Sequence, residues 1–174
     1  GRLSALQRFM GTICELDNTK VEDLRRLLND QPSPEFQEIS RVKDELIQQV
    51  QTGLALLHWK DFEILVDLIF RSAGWRRVSV VGESMNYVDM ELEEPINGER
   101  YQVQVKSDAS IADFKEFAEY AEQSGADNFR KFYFVVHNSK EKWSDAPQYN
   151  NVELVLQERL AQMVVDFGLV DWLL

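Results

Sequence analysis

Cysteine is almost missing from this 174-residue chain: Cys14 is the single one, which excludes an intramolecular disulfide and a cysteine-built zinc site. Cys14 reads as a small buried residue on a helix. Long apolar runs are missing too. None reaches the roughly 18 residues of a membrane span, and the start has no basic-then-apolar leader, so the expectation is a cytoplasmic protein without a membrane segment. Cationic charge is scarce, with 19 Lys and Arg against 30 Asp and Glu, a net charge of -11. Non-specific affinity for DNA comes mainly from neutralising phosphates, so a domain this acidic grips DNA weakly unless one local face, or a partner domain, supplies the cations. A Debye length of about 8 Å at physiological salt keeps acids on the far side from mattering at such a face.

What is present describes an ordinary globular chain, 44% hydrophobic and 28% charged, long enough to bury roughly 70% of its unfolded surface. Apolar residues recurring at three and four positions predict helices over Leu3–Leu16 and Thr19–Asn29, with Thr19 and Glu22 as a capping box. Asp30-Gln31-Pro32-Ser33-Pro34 is the clearest break, followed by a helix from Glu35 to about Thr52 that ends near Gly53. Residues 1–52 are read as an accessory helical region and 53–174 as the main domain. Gly1-Arg2-Leu3, without an initiator methionine, reads as a tag scar or as an internal position of a longer protein.

The main domain opens on a helix, Trp59 to Phe70, with Phe62, Leu65, Val66, Ile69 and Phe70 on one stripe, Glu63 opposite, and Gly74 as its stop. Val78–Val81 reads as a strand, and Gly82–Asn86 as a turn. Tyr87–Glu93 and Tyr101–Lys106 both alternate with the period of a half-buried strand, and Asn97-Gly98 between them signals a hairpin. With Asn97 and Gly98 as the two loop residues, Asp89 faces Lys106 and Glu91 faces Gln104. Pro95, which cannot donate to the ladder, weakens this register. Asp89 with Gln104-Val105-Lys106 on neighbouring strands can hold a hard divalent cation and a lysine around one phosphodiester; the plainer alternative is a cross-strand ion pair. A helix over Ile111–Gln123 and a continuous apolar strand, Phe132–Val136, then imply a parallel crossover. Val152–Leu156 and a helix from Glu158 complete a mixed sheet with helices on both faces, an α/β class.

In this order, Phe62-Glu63-x-Leu65-Val66, Gly74-Trp75, Val88-Asp89, Gln102-Val103-Gln104-Val105-Lys106 and Val152–Ala161 resemble the Mrr-type branch of the PD-(D/E)XK, or restriction-endonuclease-like, superfamily. The resemblance runs from about Leu57 to Leu174. It implies the restriction-endonuclease-like fold with an N-terminal helical extension, and a Mg²⁺-dependent DNA endonuclease in which Mn²⁺ can substitute. Asp89 would ligate the metal, with the Gln104 amide and the Val105 carbonyl as helpers. Lys106 would activate the attacking water, and Glu63 would assist. Ser84-Met85-Asn86-Tyr87 replaces the glycine-rich approach usual in the family.

Arg76, Arg77 and Lys140 are the candidate DNA contacts, on duplex DNA. Glu91 is a candidate second ligand, and His137 either a nearby base or a strand-closing histidine. The N-terminal helices offer a homodimer or partner interface. The alternative function is a catalytically inactive domain of the same fold that binds DNA or protein.

Overall fold

A computed structural model of the chain describes residues 17–78, 87–124, 128–138 and 141–174. The Leu3–Leu16 helix with Cys14, most of the Val78–Val81 run, the Gly82–Asn86 turn and Lys140 lie outside the described residues. The chain divides between Asp44 and Glu45 into two compact units.

In the first unit, α1 spans Asn18–Leu28 and is capped by Asp17, not by Thr19: Asp17 accepts the Lys20 N–H at 2.9 Å and pairs with Lys20 Nζ at 2.5 Å. Aspartate caps at least as well as threonine, and its charge gains the lysine as well. α2, Pro34–Leu56, begins in the first unit and its residues from Glu45 on belong to the second; it starts on a proline, which costs nothing in a first turn. It continues through the expected stop at Gly53. The reason is packing: Ile47, Val50 and Leu54 are buried at helical spacing on both sides of the glycine, which outweighs its propensity penalty of about 1 kcal/mol.

The second unit is built on a five-stranded sheet in the order β1 (Arg76–Arg77), β2 (Met90–Glu93), β3 (Arg100–Asp108), β4 (Lys131–Asn138) and β5 (Val152–Val155). The first three strands are antiparallel; β3, β4 and β5 are parallel. Met90, Leu92, Val103, Val105 and Val135 form one core with the end of α2, α3 (Trp59–Ser72) and α5 (Gln157–Asp166). Phe132, Phe134 and Val136 form another with Phe114, Phe117, Ala118 and Ala121 of α4 (Ile111–Gln123). Both faces of β4 are covered, as its unbroken apolar run requires. The observed class is the expected one, a mixed α/β sheet flanked by helices. A short α6, Val170–Leu173, ends the chain.

The hairpin register differs from the expected one by two residues. Glu91 pairs with Gln102 and Met90 with Val103, because the loop has four residues, Pro95 to Gly98. Glu94 N–H bonds to the Glu99 carbonyl at 2.9 Å, and Gly98 N–H to the Glu94 carbonyl at 2.9 Å. Pro95 is thereby taken into the loop, outside the ladder to which it cannot donate. The parity survives, so each side chain keeps its face. Gly98 sits at φ +72°, where a Cβ is strained, and Gly98→Ala should cost about 1 kcal/mol in denaturant unfolding with an unchanged m-value.

His137 belongs to this framework and not to a catalytic base. It is 3% exposed, its ring stacks on Phe62 at 4.2 Å, and its Nε2 donates to the Leu54 carbonyl at 2.6 Å. That carbonyl lies in the last turn of α2, where it also accepts the Leu57 N–H at 3.2 Å, and the histidine is a further donor to it. Asn138 does the same for Ala55 at 3.5 Å and is held by Gln157 at 2.9 Å. The α2 terminus is thereby fastened to the end of β4, immediately before α3 begins.

Candidate active site

The ladder between β2 and β3 opens at Asp89, and its backbone and carboxylate define the opening. Val88 is buried and forms an isolated bridge, and Asp89 follows in a bend. Asp89 N–H donates to the Val103 carbonyl at 2.9 Å, and its Oδ2 accepts the Val105 N–H at 2.7 Å. A side-chain carboxylate takes the donor that a strand carbonyl would otherwise receive. This spreads the strands and leaves Asp89 exposed at the sheet rim while its carboxylate stays fixed.

Glu63 and Lys106 meet at the same rim. With Trp59, Phe62, Val105 and Ser107 they line a cavity of about 110 Å³. Glu63 reaches it because α3 turns its apolar stripe, including Phe62, into the core and so leaves the residue after Phe62 at the core's edge. Partial burial raises the Glu63 carboxyl above its ordinary value. The Asp89 charge adds to the rise, against Arg77 and Lys60. Desolvation also raises Asp89, opposed by the Val105 N–H, then Lys106, then Arg77. Withdrawal from water is thus the first cause of both shifts, and the mutual repulsion of the two carboxylates is resolved only at Glu63.

The remaining candidates fall elsewhere. Gln104 is 5% exposed and lies beside Phe134 on the sheet face covered by α4. No hydrogen bond joins its amide to Asp89, Glu63 or Lys106 among the described residues. Glu91 lies one pair further from the opening, where Gln102 Nε2 donates to it at 3.0 Å and Tyr120 OH donates to Gln102 Oε1 at 3.1 Å. Arg76 is engaged by Glu93 at 2.6 Å. Arg77 donates to the Asp89 backbone carbonyl at 2.9 Å and lies 3.8 Å from Asp67. Arg77 therefore positions the Asp89 backbone, a role that residue type and spacing could not disclose. Trp59 was not among the sequence candidates either; its place at the start of the Glu63 helix was the available signal.

A five-stranded mixed sheet with helices on both faces, opened at a carboxylate just before its second strand and bearing a Q-x-K run on its third, defines a restriction-endonuclease-like domain. The family model described as restriction endonuclease, the Mrr catalytic domain, matches residues 54–164, and the chain belongs to that family, within the PD-(D/E)XK superfamily. No curated protein and no solved structure matches the chain. Nucleases of this superfamily generally use divalent metals. Among the described residues no three His, Cys, Asp or Glu side chains form a metal-binding group, and no helix is long and apolar enough to cross a membrane.

Proposed function

We propose that this domain is a metal-dependent DNA endonuclease, cutting phosphodiesters at the rim that Asp89, Glu63 and Lys106 share. The observation that carries the reading is the fixed Asp89 carboxylate, held by Val105 N–H at 2.7 Å in the gap between β2 and β3, close enough to Glu63 for its charge to raise the Glu63 carboxyl. Such a donor set suits Mg²⁺, which takes hard oxygen ligands and keeps several waters. Asp89 would hold the ion, aided by Glu63 and the Val105 carbonyl. The bound ion would supply Lewis acidity toward a phosphoryl oxygen and a more acidic water. Mg²⁺ is the proposed ion and Mn²⁺ its substitute. In this reading Gln104 serves from the buried side of β3, as a support rather than a ligand.

The protein's own part is positional and electrostatic. Arg77 and the Val105 N–H fix Asp89, so its geometry does not depend on the ion. Lys106, partly exposed on the last part of β3, offers an ammonium to the charge that develops on phosphate and holds the attacking water by a hydrogen bond. Phe62 and Trp59 wall the cavity and restrict competing water. Dimerisation or partner docking through the N-terminal helices belongs to the same proposal, supported by the exposed Leu28, Phe36, Ile39 and Val42 side chains.

Supercoiled plasmid provides the test. Nicking or linearisation should require Mg²⁺ or Mn²⁺ and stop in EDTA; plasmid left intact by purified protein with either ion would defeat the reading. The second reading, an inactive binding module, is favoured by one observation, the burial of Gln104 away from the other candidates, and that same result would support it.

A further inference from the structure

Both arginines near the proposed site are engaged within the protein, which leaves Lys60 and Lys106 as its ammonium groups among the described residues. Arg76 is held by Glu93, Arg77 by the Asp89 carbonyl and Asp67, and the chain's net charge is -11. Counterion release, the usual source of affinity for duplex DNA, is correspondingly small. A strand held here needs a contact of another kind, and the cavity wall carries one. Trp59, the first residue of α3, is 46% exposed and lines the cavity beside Glu63 and Lys106. Trp75, by contrast, is stacked on Tyr101 at 4.2 Å and Phe70 at 5.3 Å, and Trp143 packs edge-on against Phe114. His58 lies 5.7 Å from the Trp59 ring, and Lys60 Nζ sits over the ring at 5.3 Å from its centroid.

An open indole attracts flat π-systems, and in DNA a base offers a free face only when it is unpaired or terminal, since both faces are covered within a duplex. We infer that Trp59 is a stacking platform for an unpaired nucleobase next to the scissile phosphate, so that the domain takes DNA with single-stranded character at the cut: a flap, a frayed end or a single strand. This rests on the nuclease reading for the word scissile, and on Trp59 alone for the stacking. The pairing of roles is physically consistent. Lys106 and the carboxylates act on the backbone, the indole on the adjoining base, and Lys60 beside the ring offers its ammonium to the next phosphate. Stacking is also less sensitive to salt than phosphate contacts, which suits a domain of this charge.

The test uses the Asp89→Asn protein in EDTA, so that no strand is cut, and fluorescence anisotropy of a labelled 20-nucleotide single strand and of the same sequence as a blunt duplex. Adding Trp59→Ala should weaken single-strand binding about ten- to a hundredfold and leave duplex binding unchanged. Trp59→Phe should restore most of the loss, and 2-aminopurine in the strand should be quenched by the parent and not by Trp59→Ala. Equal single-strand affinity with and without the indole, or no single-strand binding at all, overturns the inference. The two readings fail separately. Cleavage that needs Asp89 but ignores Trp59→Ala removes the stacking site and keeps the nuclease. Trp59-dependent strand binding by a protein that never cuts with Mg²⁺ or Mn²⁺ removes the nuclease and keeps the stacking site. Thermal melts of each variant guard against misfolding, which the exposure of Trp59 makes a small effect.

Discussion

Metal-dependent plasmid cleavage should fall by at least about a hundred- to a thousandfold in Asp89→Asn, Asp89→Ala and Lys106→Met, the scale of losing one preorganised electrostatic contact to a transition state. The Asp89 pair separates structure from chemistry. In Asp89→Asn the amide oxygen still accepts the Val105 N–H, so the opening between β2 and β3 keeps its shape and only the charge is lost. In Asp89→Ala that N–H loses its acceptor, which adds a stability cost of about 1–3 kcal/mol. Equal inactivity with unequal stability is the expected pattern. Asp89→Asn cleaving at the parental rate would mean that no charge is needed at that position, and the assignment would fall. Lys106→Met keeps the aliphatic stem against the cavity wall and removes the ammonium alone; a large loss of turnover with an unchanged melting temperature is the expected signature. Glu63→Gln should do less, about tenfold, because Glu63 assists a site that Asp89 organises.

The elements were legible where one local rule dominated. The α4 limits, Ile111 to Gln123, follow from Ser110, which caps the helix with Asp113 in a reciprocal pair, and from the apolar spacing of Phe114, Phe117, Ala118 and Ala121. The unbroken run of β4 likewise had only one burial pattern open to it. Legibility failed where two rules competed. Asn97-Gly98 argued for a two-residue loop and Pro95 against it; the proline prevailed, and the register moved by two.

At the rim, residue types and strand parity could bring Asp89 and Lys106 to one neighbourhood. They could not show that Asp89 would leave the ladder and take the Val105 N–H in place of a carbonyl, because that depends on where β2 stops. Nor could alternation alone tell Gln104 from Lys106, two residues apart on the same face. The difference comes from α4, whose Phe114 and Phe117 cover the sheet beside Phe134 and leave the strand end open. The two arginines after Trp75 read as cations awaiting phosphate. Their carboxylate and carbonyl partners lie 10 to 17 residues away and become visible only in the folded sheet.

Divalent metal should stabilise the folded domain, and the effect should disappear on acidification. Without metal, Asp89 and Glu63 both titrate above their ordinary values of 3.8 and 4.5. A carboxyl raised in the folded state holds its proton when the unfolded chain has already lost its own, so the folded form binds more protons across that window. Stability is then full below the ordinary values and declines as pH climbs through the raised ones. Mn²⁺ reverses the balance at neutral pH, since it binds the ionised carboxylates of the folded form. At a hundredfold excess over its Kd it adds about 2.7 kcal/mol, roughly 5–10 °C in Tm for a domain of this size.

At pH 5 protons compete for the same oxygens more strongly than at pH 7.5, and the shift should shrink. In EDTA at pH 7.5, Asp89→Asn should melt at or above the parent, because it lacks the charge that the rim disfavours; in Mn²⁺ the order should invert, with only the parent gaining. Differential scanning calorimetry of the two proteins at pH 5 and 7.5, with EDTA and with Mn²⁺, checks all of this. A parent whose Tm is the same in EDTA and Mn²⁺ at pH 7.5, or an Asp89→Asn protein that gains as much as the parent, would place the carboxylates at the rim for some purpose other than holding an ion.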